Sequence, residues 1–291
     1  MDRLLEAALF VAGLAFGSFL NVCISRIPRD QSIITPPSHC EACAVPIRWF
    51  DNIPFASWLA LRGRCRSCGV RIPARYPAVE LLTALLFTAC YLSFGWTFLT
   101  LKFCVFAFLL IGLIFMDAET GLLPREFTYS GIVLGLVFSG IVPTDYSATA
   151  LLLNLFDKHV QSVHWLSLLD AVFGGVVGAG FFYLAWALYY LARKKHGLGF
   201  GDITLMGMCG TFLGLKLVLL VIFCSPPLAV VYACILLGRE MFVAITKPET
   251  RQRDEEPFLS RQLPFGVFLG ASSLAAIFVG QAVWSWYLRR L

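Results

Sequence analysis

Residues 97–117 read TFLTLKFCVFAFLLIGLIFMD, an almost unbroken apolar run that ends on an aspartate. A run of this length closes its own backbone hydrogen bonds as a helix and is long enough to cross a bilayer hydrocarbon core. Comparable runs recur along the chain, 58% of the 291 residues are hydrophobic, only 14% are charged, and mean hydropathy is +0.77. These values exclude a soluble domain. The alternation a membrane barrel needs does not recur. The expected fold is therefore an all-α polytopic membrane protein of about eight transmembrane helices, at about 4–24, 78–95, 97–116, 127–142, 169–192, 202–215, 217–238 and 264–287. The sixth is short enough to be tilted or partly re-entrant. Its Gly207, Gly210 and Gly214 weaken a free helix and favour close packing against a neighbour. Asp2 and Glu6 spoil a signal-peptide n-region, so the first helix is expected to be a retained span. The segment 143–168, with Asp157, Lys158, His159 and His164, reads as an exposed outer loop with a short amphipathic helix.

Lysine and arginine set the orientation. Eight basic residues lie between Arg26 and Arg75, one is Arg125, three are Arg193, Lys194 and Lys195, and five fall at Arg239, Lys247, Arg251, Arg253 and Arg261. These 17 of the 23 basic residues share one side in the eight-helix reading. The positive-inside rule then puts the 25–77 loop in the cytoplasm and both termini outside. Lys102 and Lys158 count as outer, Asp145 and Asp170 read as outer solvated caps, and Trp284, Trp286 and Tyr287 form an outer interfacial anchor. The net charge of +5 is a topology signal and implies no nucleic-acid partner. The domains expected are 1–24, a first transmembrane helix; 25–77, a cytoplasmic metal-binding loop; and 78–291, a transmembrane catalytic unit.

Within the loop, Cys40-x2-Cys43 and Cys65-x2-Cys68 have the spacing of paired knuckles closing four thiolates around one tetrahedral ion. Zinc is the preferred occupant on a side where thiols stay reduced, with an iron–sulfur centre or redox pairs as rivals. Cys23, Cys90, Cys104, Cys209, Cys224 and Cys234 lie in or beside apolar spans and read as small buried hydrophobes. The histidines, His39, His159, His164 and His196, form no ligand-spaced cluster, although His39 adjoins Cys40.

Two aspartates sit beside glycines at the same side of the membrane. Asp117 precedes Gly121, and Asp202 follows Gly199 and Gly201. A carboxylate at a helix centre in a membrane costs roughly 2.5 to 3.5 kcal/mol, so such residues are functional candidates. Brought together, one would stay protonated while the other takes a proton from water, as aspartic proteases require. Taken singly, Asp202 also reads as a helix cap and Asp117 as an interfacial span end. A proton or cation relay in a transporter or channel, and a scaffold with a decayed site, are the other readings. Glu80, just inside the second span, either pairs with a nearby arginine or lines a site, the second being favoured.

An ordered set of motifs spans most of the chain: Gly17-Ser-Phe-Leu-Asn-Val, Ser38-His-Cys-Glu-Ala-Cys, Asp51-Asn-Ile-Pro, Ser57-Trp-Leu, Arg62-Gly-Arg-Cys-Arg-Ser-Cys, Arg75-Tyr-Pro-Ala-Val-Glu-Leu-Leu-Thr, the Asp117 segment, Gly199-x-Gly-Asp and Leu263-Pro-Phe-Gly-Val-Phe-Leu-Gly. The set resembles the type IV prepilin leader peptidase/N-methyltransferase family, GxGD-type intramembrane aspartic peptidases of the bacterial inner membrane that serve type IV pili and type II secretion. The resemblance implies removal of a basic leader after a glycine, on the cytoplasmic face. It also implies methylation of the new N-terminal amine with S-adenosylmethionine. By motif, Asp117 and Asp202 would be catalytic, and Cys40, Cys43, Cys65 and Cys68 the zinc ligands. Gly17, Asn21, Arg26 and Glu80 are nominated around S-adenosylmethionine or substrate. The chain departs from the family's pattern at Arg125, where aspartate is common, and at Thr204, where lysine is common. Arg125 is expected to supply replacement positive charge near the site, and activity to be retained.

Overall fold

Every backbone amide in a bilayer has to be satisfied inside the protein, and the chain meets this with helices. The computed structural model describes residues 2–144, 147–155, 162–194, 199–246 and 264–290. The expectations that fall on Asp145, Asp157, Lys158, His159, Lys195, His196, Lys247, Arg251, Arg253, Arg261 and Leu263 lie outside the described residues.

The helices are α1 (Asp2–Arg26), α2 (Ala56–Ala60), α3 (Arg75–Phe94), α4 (Phe98–Thr120), α5 (Arg125–Ile141), α6 (Ser147–Leu155), α7 (Val163–Arg193), α8 (Phe200–Thr246) and α9 (Phe265–Leu288). Among the described residues there is no strand, only two isolated bridges. Six helices, α1, α3, α4, α7, α8 and α9, are long and apolar enough to cross a membrane. The protein is thus a multi-pass helical membrane protein. The eight apolar helices expected map onto these six, with α8 divided at Gly214 (φ 78°, ψ 177°) and the 17-residue α5 added.

Local chemistry sets the ends. Thr97 caps α4 by accepting the Thr100 amide. Gly121, in the left-handed region at φ 65°, closes α4 with its amide on the Asp117 carbonyl, 2.9 Å away. The helix therefore runs one turn beyond the expected end at 116. Pro124 then opens α5, because its fixed φ suits the entry to a helix.

The most extensive packing is α7 against α8, then α1 against α3, then α8 against α9. Small residues make the first of these possible. A Cβ at Gly174 would lie 2.5 Å from the Gly210 carbonyl oxygen, and one at Gly210 only 2.1 Å from the Gly174 carbonyl oxygen. The packing expected of Gly210 and Gly214 is observed, since a Cβ at Gly174 would also lie 3.0 Å from Gly214 Cα, and Gly214 carries the break in α8 as well. Phe106 stacks on Phe212, 4.6 Å between ring centroids, in a core shared by α4 and α8.

Several outer-side expectations change. α7 begins at Val163, six residues earlier than expected, so His164 is helical and its Nδ1 lies 3.1 Å from the Gly140 carbonyl oxygen. Asp170 is not a solvated cap. It is 1% exposed and accepts a hydrogen bond from Thr149 of α6. Lys102 is fully buried and donates to Ser139 Oγ at 3.0 Å. Cys23, Cys90, Cys104 and Cys209 are buried as expected, whereas Cys224 and Cys234 sit on the exposed outside of α8. In the C-terminal aromatic group, Trp284 donates to the Lys216 carbonyl at 2.9 Å while Trp286 and Tyr287 are exposed.

Adding one methyl at the α7–α8 seam should overpack it by about 1 to 3 kcal/mol. Gly174→Ala and Gly210→Ala are each expected to lower the thermal unfolding temperature of the purified protein in detergent. Gly180→Ala, with nothing within 4 Å of the new methyl, should leave it unchanged or raise it. Equal effects of all three would contradict this packing.

Candidate active site

The two aspartates reach one place from opposite ends of their helices. Asp117 lies in the last turn of α4, and Asp202 in the first turn of α8. Both are nearly buried, at 6% and 8% exposure, and Asp202 lies close enough to feel the charge of Asp117. Leu123, in the turn after α4, fixes the approach. It sits against Gly201, where a Cβ would meet its Cβ at 2.8 Å, and against Gly266, where one would meet its Cδ1 at 3.1 Å. The neighbours of both acids therefore close on one leucine.

Backbone amides hold the carboxylates. Asp117 Oδ2 accepts the Val267 amide at 3.1 Å, and the Gly266 amide also points at it. These belong to the N-terminal turn of α9, whose unpaired amides and dipole favour an anion. A Cβ at Gly266 would lie 2.8 Å from Asp117 Oδ2, so this close approach requires glycine. Asp202 is not the cap residue of α8. It is the third helical residue, and its carboxylate reaches back to the Gly199 amide, as the third residue of a capping box does. The role of Gly266 and Val267 was not foreseen, although the Pro-Phe-Gly sequence before a long apolar run signalled a helix start.

Thr204 is nearly buried and donates to the Gly201 carbonyl at 2.9 Å, tightening the turn that carries Asp202. Arg125 is exposed at the start of α5. Among the described residues no ion pair links it to either aspartate, so the replacement charge expected from it is not found at the site.

The loop between α1 and α3 is built on two equivalent turns. The Cys40 amide donates to the Val45 carbonyl at 3.0 Å and the Ala44 amide to the Cys40 carbonyl at 2.8 Å. In the second turn the Cys65 amide donates to Val70 and the Gly69 amide to Cys65, both at 2.9 Å. Ala44 (φ 56°) and Gly69 (φ 71°) occupy the same left-handed position. The four thiols lie within 4.8 Å of one another, with Cys40 and Cys68 sulfurs 3.8 Å apart. A tetrahedral zinc with bonds of about 2.3 Å to sulfur needs sulfurs about 3.8 Å apart, so the donor set fits such an ion. The Cys68 and Ser67 amides pull the Cys65 thiol down to about 7, toward the thiolate a metal requires. His39 is outside the cluster and faces the Pro37 carbonyl.

Side chains tie this loop to the helices. Arg26 donates to the Ser32 and Pro36 carbonyls at 3.0 and 2.7 Å. Arg66 forks onto Asp51 and holds that carboxyl below its usual range. Among the described residues Glu80 pairs with no arginine. It accepts the Phe55 amide at 2.7 Å, where Phe55 adopts φ 61°, and the Arg75 partner is instead Glu119, at 2.6 Å. Asn21 Nδ2 donates to the Tyr76 carbonyl at 2.9 Å, and its Oδ1 is buried without a hydrogen-bond partner among the described residues. A Cβ at Gly17 would lie 2.6 Å from Glu80 Cα, so Gly17 brings α1 and α3 into backbone contact. The four nominated residues thus share the junction of α1, α3 and the loop.

Residues 11–94 match the Bacterial Peptidase A24 N-terminal domain, and residues 104–234 match the Type IV leader peptidase family. The chain belongs to the type IV leader peptidase family. A prepilin leader peptidase/N-methyltransferase of Myxococcus xanthus is 38% identical over 254 residues, 86% of this chain and 67% of its own length. One of Neisseria gonorrhoeae is 35% identical over 78% of this chain and 80% of its own, and one of Aeromonas hydrophila is 33% identical over 96% and 92%. No solved structure matches. The transporter and scaffold readings draw no support from these relatives. The two matched regions meet between 94 and 104, at the turn from α3 to α4.

The thiol cluster leads to a direct measurement. Purified protein should carry one thiolate-bound metal per chain. Cobalt exchanged into the site should give thiolate-to-metal absorption that Cys43→Ser and Cys65→Ser each remove, while Cys90→Ser leaves it intact.

Proposed function

We propose that this chain cleaves the basic leader from type IV prepilins or pseudopilins at the cytoplasmic face of the bacterial inner membrane. It then methylates the new N-terminal amine with S-adenosylmethionine. The observation that carries the reading is the meeting of Asp117 and Asp202 beside the α9 N-terminus, in a chain of this family. The hydrophobic helix that follows a prepilin leader lies in the bilayer, so its scissile bond arrives at the depth where α4 ends and α8 begins.

An aspartate pair works with one proton between its members. The ionised member takes a proton from water as the oxygen attacks the scissile carbonyl carbon, and the protonated member gives its proton to the carbonyl oxygen. When the tetrahedral adduct collapses, the C–N bond breaks, the leaving amine takes a proton from the first aspartate, and a hydroxyl of the adduct returns one to the second. The α9 amides hold Asp117 in place, and the Gly199 amide holds Asp202, so neither carboxylate has to reorganise during the step.

The proposal extends to domain roles. The loop at 25–77, with zinc on Cys40, Cys43, Cys65 and Cys68, is a cytoplasmic platform associated with methyl transfer after the first transmembrane helix, and 78–291 is the peptidase unit. Methyl transfer belongs to the junction of α1, α3 and the loop. S-adenosylmethionine supplies the methyl group there. Asn21 presents a buried acceptor, Glu80 and Arg26 hold the adjoining backbone, and Gly17 fixes the approach of the two helices. These groups position the amine, whose new N–C bond would form as the sulfonium S–C bond breaks and the thioether leaves, its proton passing to water.

Asp117→Asn and Asp202→Asn, expressed at equal levels in membranes, should each lower leader cleavage by at least about 10²-fold. Methylation of a pre-cleaved prepilin by the same variants should persist. Undiminished cleavage in either variant would contradict the dyad. Glu80→Gln and Asn21→Ala should reverse the pattern, with cleavage kept and methylation reduced. Thr204→Lys should leave cleavage within a few-fold of wild type; if only this variant cleaves, the departure at 204 is disabling.

A further inference from the structure

Far from the dyad, on the side of the bundle opposite the cysteine loop, a second pair of ionisable residues is buried. Lys102 of α4 has no exposed surface, Asp170 of α7 is 1% exposed, and Lys102 lies close enough to feel the Asp170 charge. The chemistry just described uses neither. We propose that Lys102, Ser139 and Asp170 are positioning residues for leader cleavage, acting by fixing the far end of the short α8 arm whose near end carries Asp202. The proposal rests on the reading of Asp117 and Asp202 as a peptidase dyad.

The argument begins at the break in α8. The arm 200–213 has fourteen residues and a length of about 21 Å, shorter than the roughly 30 Å hydrocarbon core. It ends at Gly214, whose φ of 78° with ψ of 177° is open essentially to glycine alone. Non-helical backbone at membrane depth persists only where protein supplies the missing hydrogen-bond partners. Ser139 of α5 donates to the Thr211 carbonyl at 3.0 Å, beside the break. Lys102 in turn donates to Ser139 Oγ at 3.0 Å, which sets the direction of the serine hydroxyl.

Asp170 acts from the other side. A Cβ at Gly214 would lie only 1.9 Å from Asp170 Oδ2, so the carboxylate rests directly on the broken backbone. Its Oδ1 accepts from Thr149 of α6 at 2.5 Å. Asp170 shares a face of α7 with Gly174 and Gly178, one and two turns further on. A Cβ at Gly174 would meet the Gly210 carbonyl oxygen, and one at Gly178 the Met206 carbonyl oxygen, each at 2.5 Å. The contacts that grip the arm along its length and the carboxylate that meets its end therefore belong to one helix face.

The geometry gives the set leverage on catalysis. A tilt of about 3° in a 21 Å arm moves its other end by about 1 Å. Displacement of a catalytic group by about 1 Å can lower the rate about 10²-fold. Removing one of the two buried charges leaves the other without its nearby opposite charge and supplies such a disturbance, and removing both relieves it.

The test uses full-length wild type, Asp170→Asn, Lys102→Met and the double variant, purified in the same detergent. Prepilin cleavage is measured as kcat and KM, and methylation of a pre-cleaved prepilin is measured on the same preparations. Each single variant should lose about ten- to hundredfold in kcat with KM within about twofold and methylation unchanged, and the double variant should recover part of the loss. Unchanged kcat in both single variants would overturn the proposal, as would a parallel fall in cleavage and methylation. If the charged-site variants fail to accumulate, Ser139→Ala decides, because it removes the donor to Thr211 and the acceptor of Lys102 while leaving both charges in place: lowered kcat with methylation kept supports the proposal, and wild-type kcat overturns it. Asp117→Asn and Asp202→Asn run alongside. Wild-type cleavage by those two would remove the dyad reading itself, whereas their inactivity beside unaffected Asp170→Asn and Lys102→Met removes only the positioning role.

Discussion

Helix α8 stops being helical at Gly214 inside an apolar segment, and much of the architecture serves that interruption. Lipid offers no hydrogen bonds, so the break has to be enclosed by protein. Enclosure comes from α7, whose Gly174 and Gly178 bring its backbone against that of α8, and from Ser139 and Asp170, which meet the broken turn. The result is a short, almost fully buried arm in place of a simple span. That arm ends at the depth where α4 also ends, and each end carries an aspartate.

Two devices then turn a meeting of helix ends into a site. Gly121 ends α4 and sends the chain through Leu123, which packs against both Gly201 and Gly266. The first turn of α9 supplies amides to Asp117. The cysteine loop is tied to the same neighbourhood. Arg75, where the loop enters α3, binds Glu119, two residues beyond Asp117, and Glu80 of α3 holds the Phe55 amide of the loop. The loop and the turn that carries Asp117 are thus joined through α3, which suits the proposed order of cleavage followed by methylation.

Much of this was legible in the sequence. Apolar runs such as 97–116 gave away the helices, because hydropathy and length decide a membrane span almost alone. Cysteine spacing disclosed the thiol cluster, and the aspartates beside glycine at span ends announced the acid pair. Less legible were the charges on the far side. Lys102 read as an outer basic residue and Asp170 as an outer solvated cap because each falls near a helix end, and sequence position cannot show that α5 meets the one and α6 and α8 the other. The partners of Glu80 and Arg75 were equally hidden, since they depend on how α3 lies against the loop and α4. The Gly266 and Val267 amides came from a segment some 150 residues from Asp117. A bond of that span leaves no periodic trace.

The central claim is that Asp117 and Asp202 face one another across a single site. The most direct measurement is oxidative cross-linking in native membranes of a variant carrying both Asp117→Cys and Asp202→Cys, compared with each single variant. The structure predicts an intramolecular disulfide between positions 117 and 202 under mild oxidation, identified by mass spectrometry of the linked peptides and absent from both single variants. Failure of the double variant to cross-link, while its fold is retained, would contradict it.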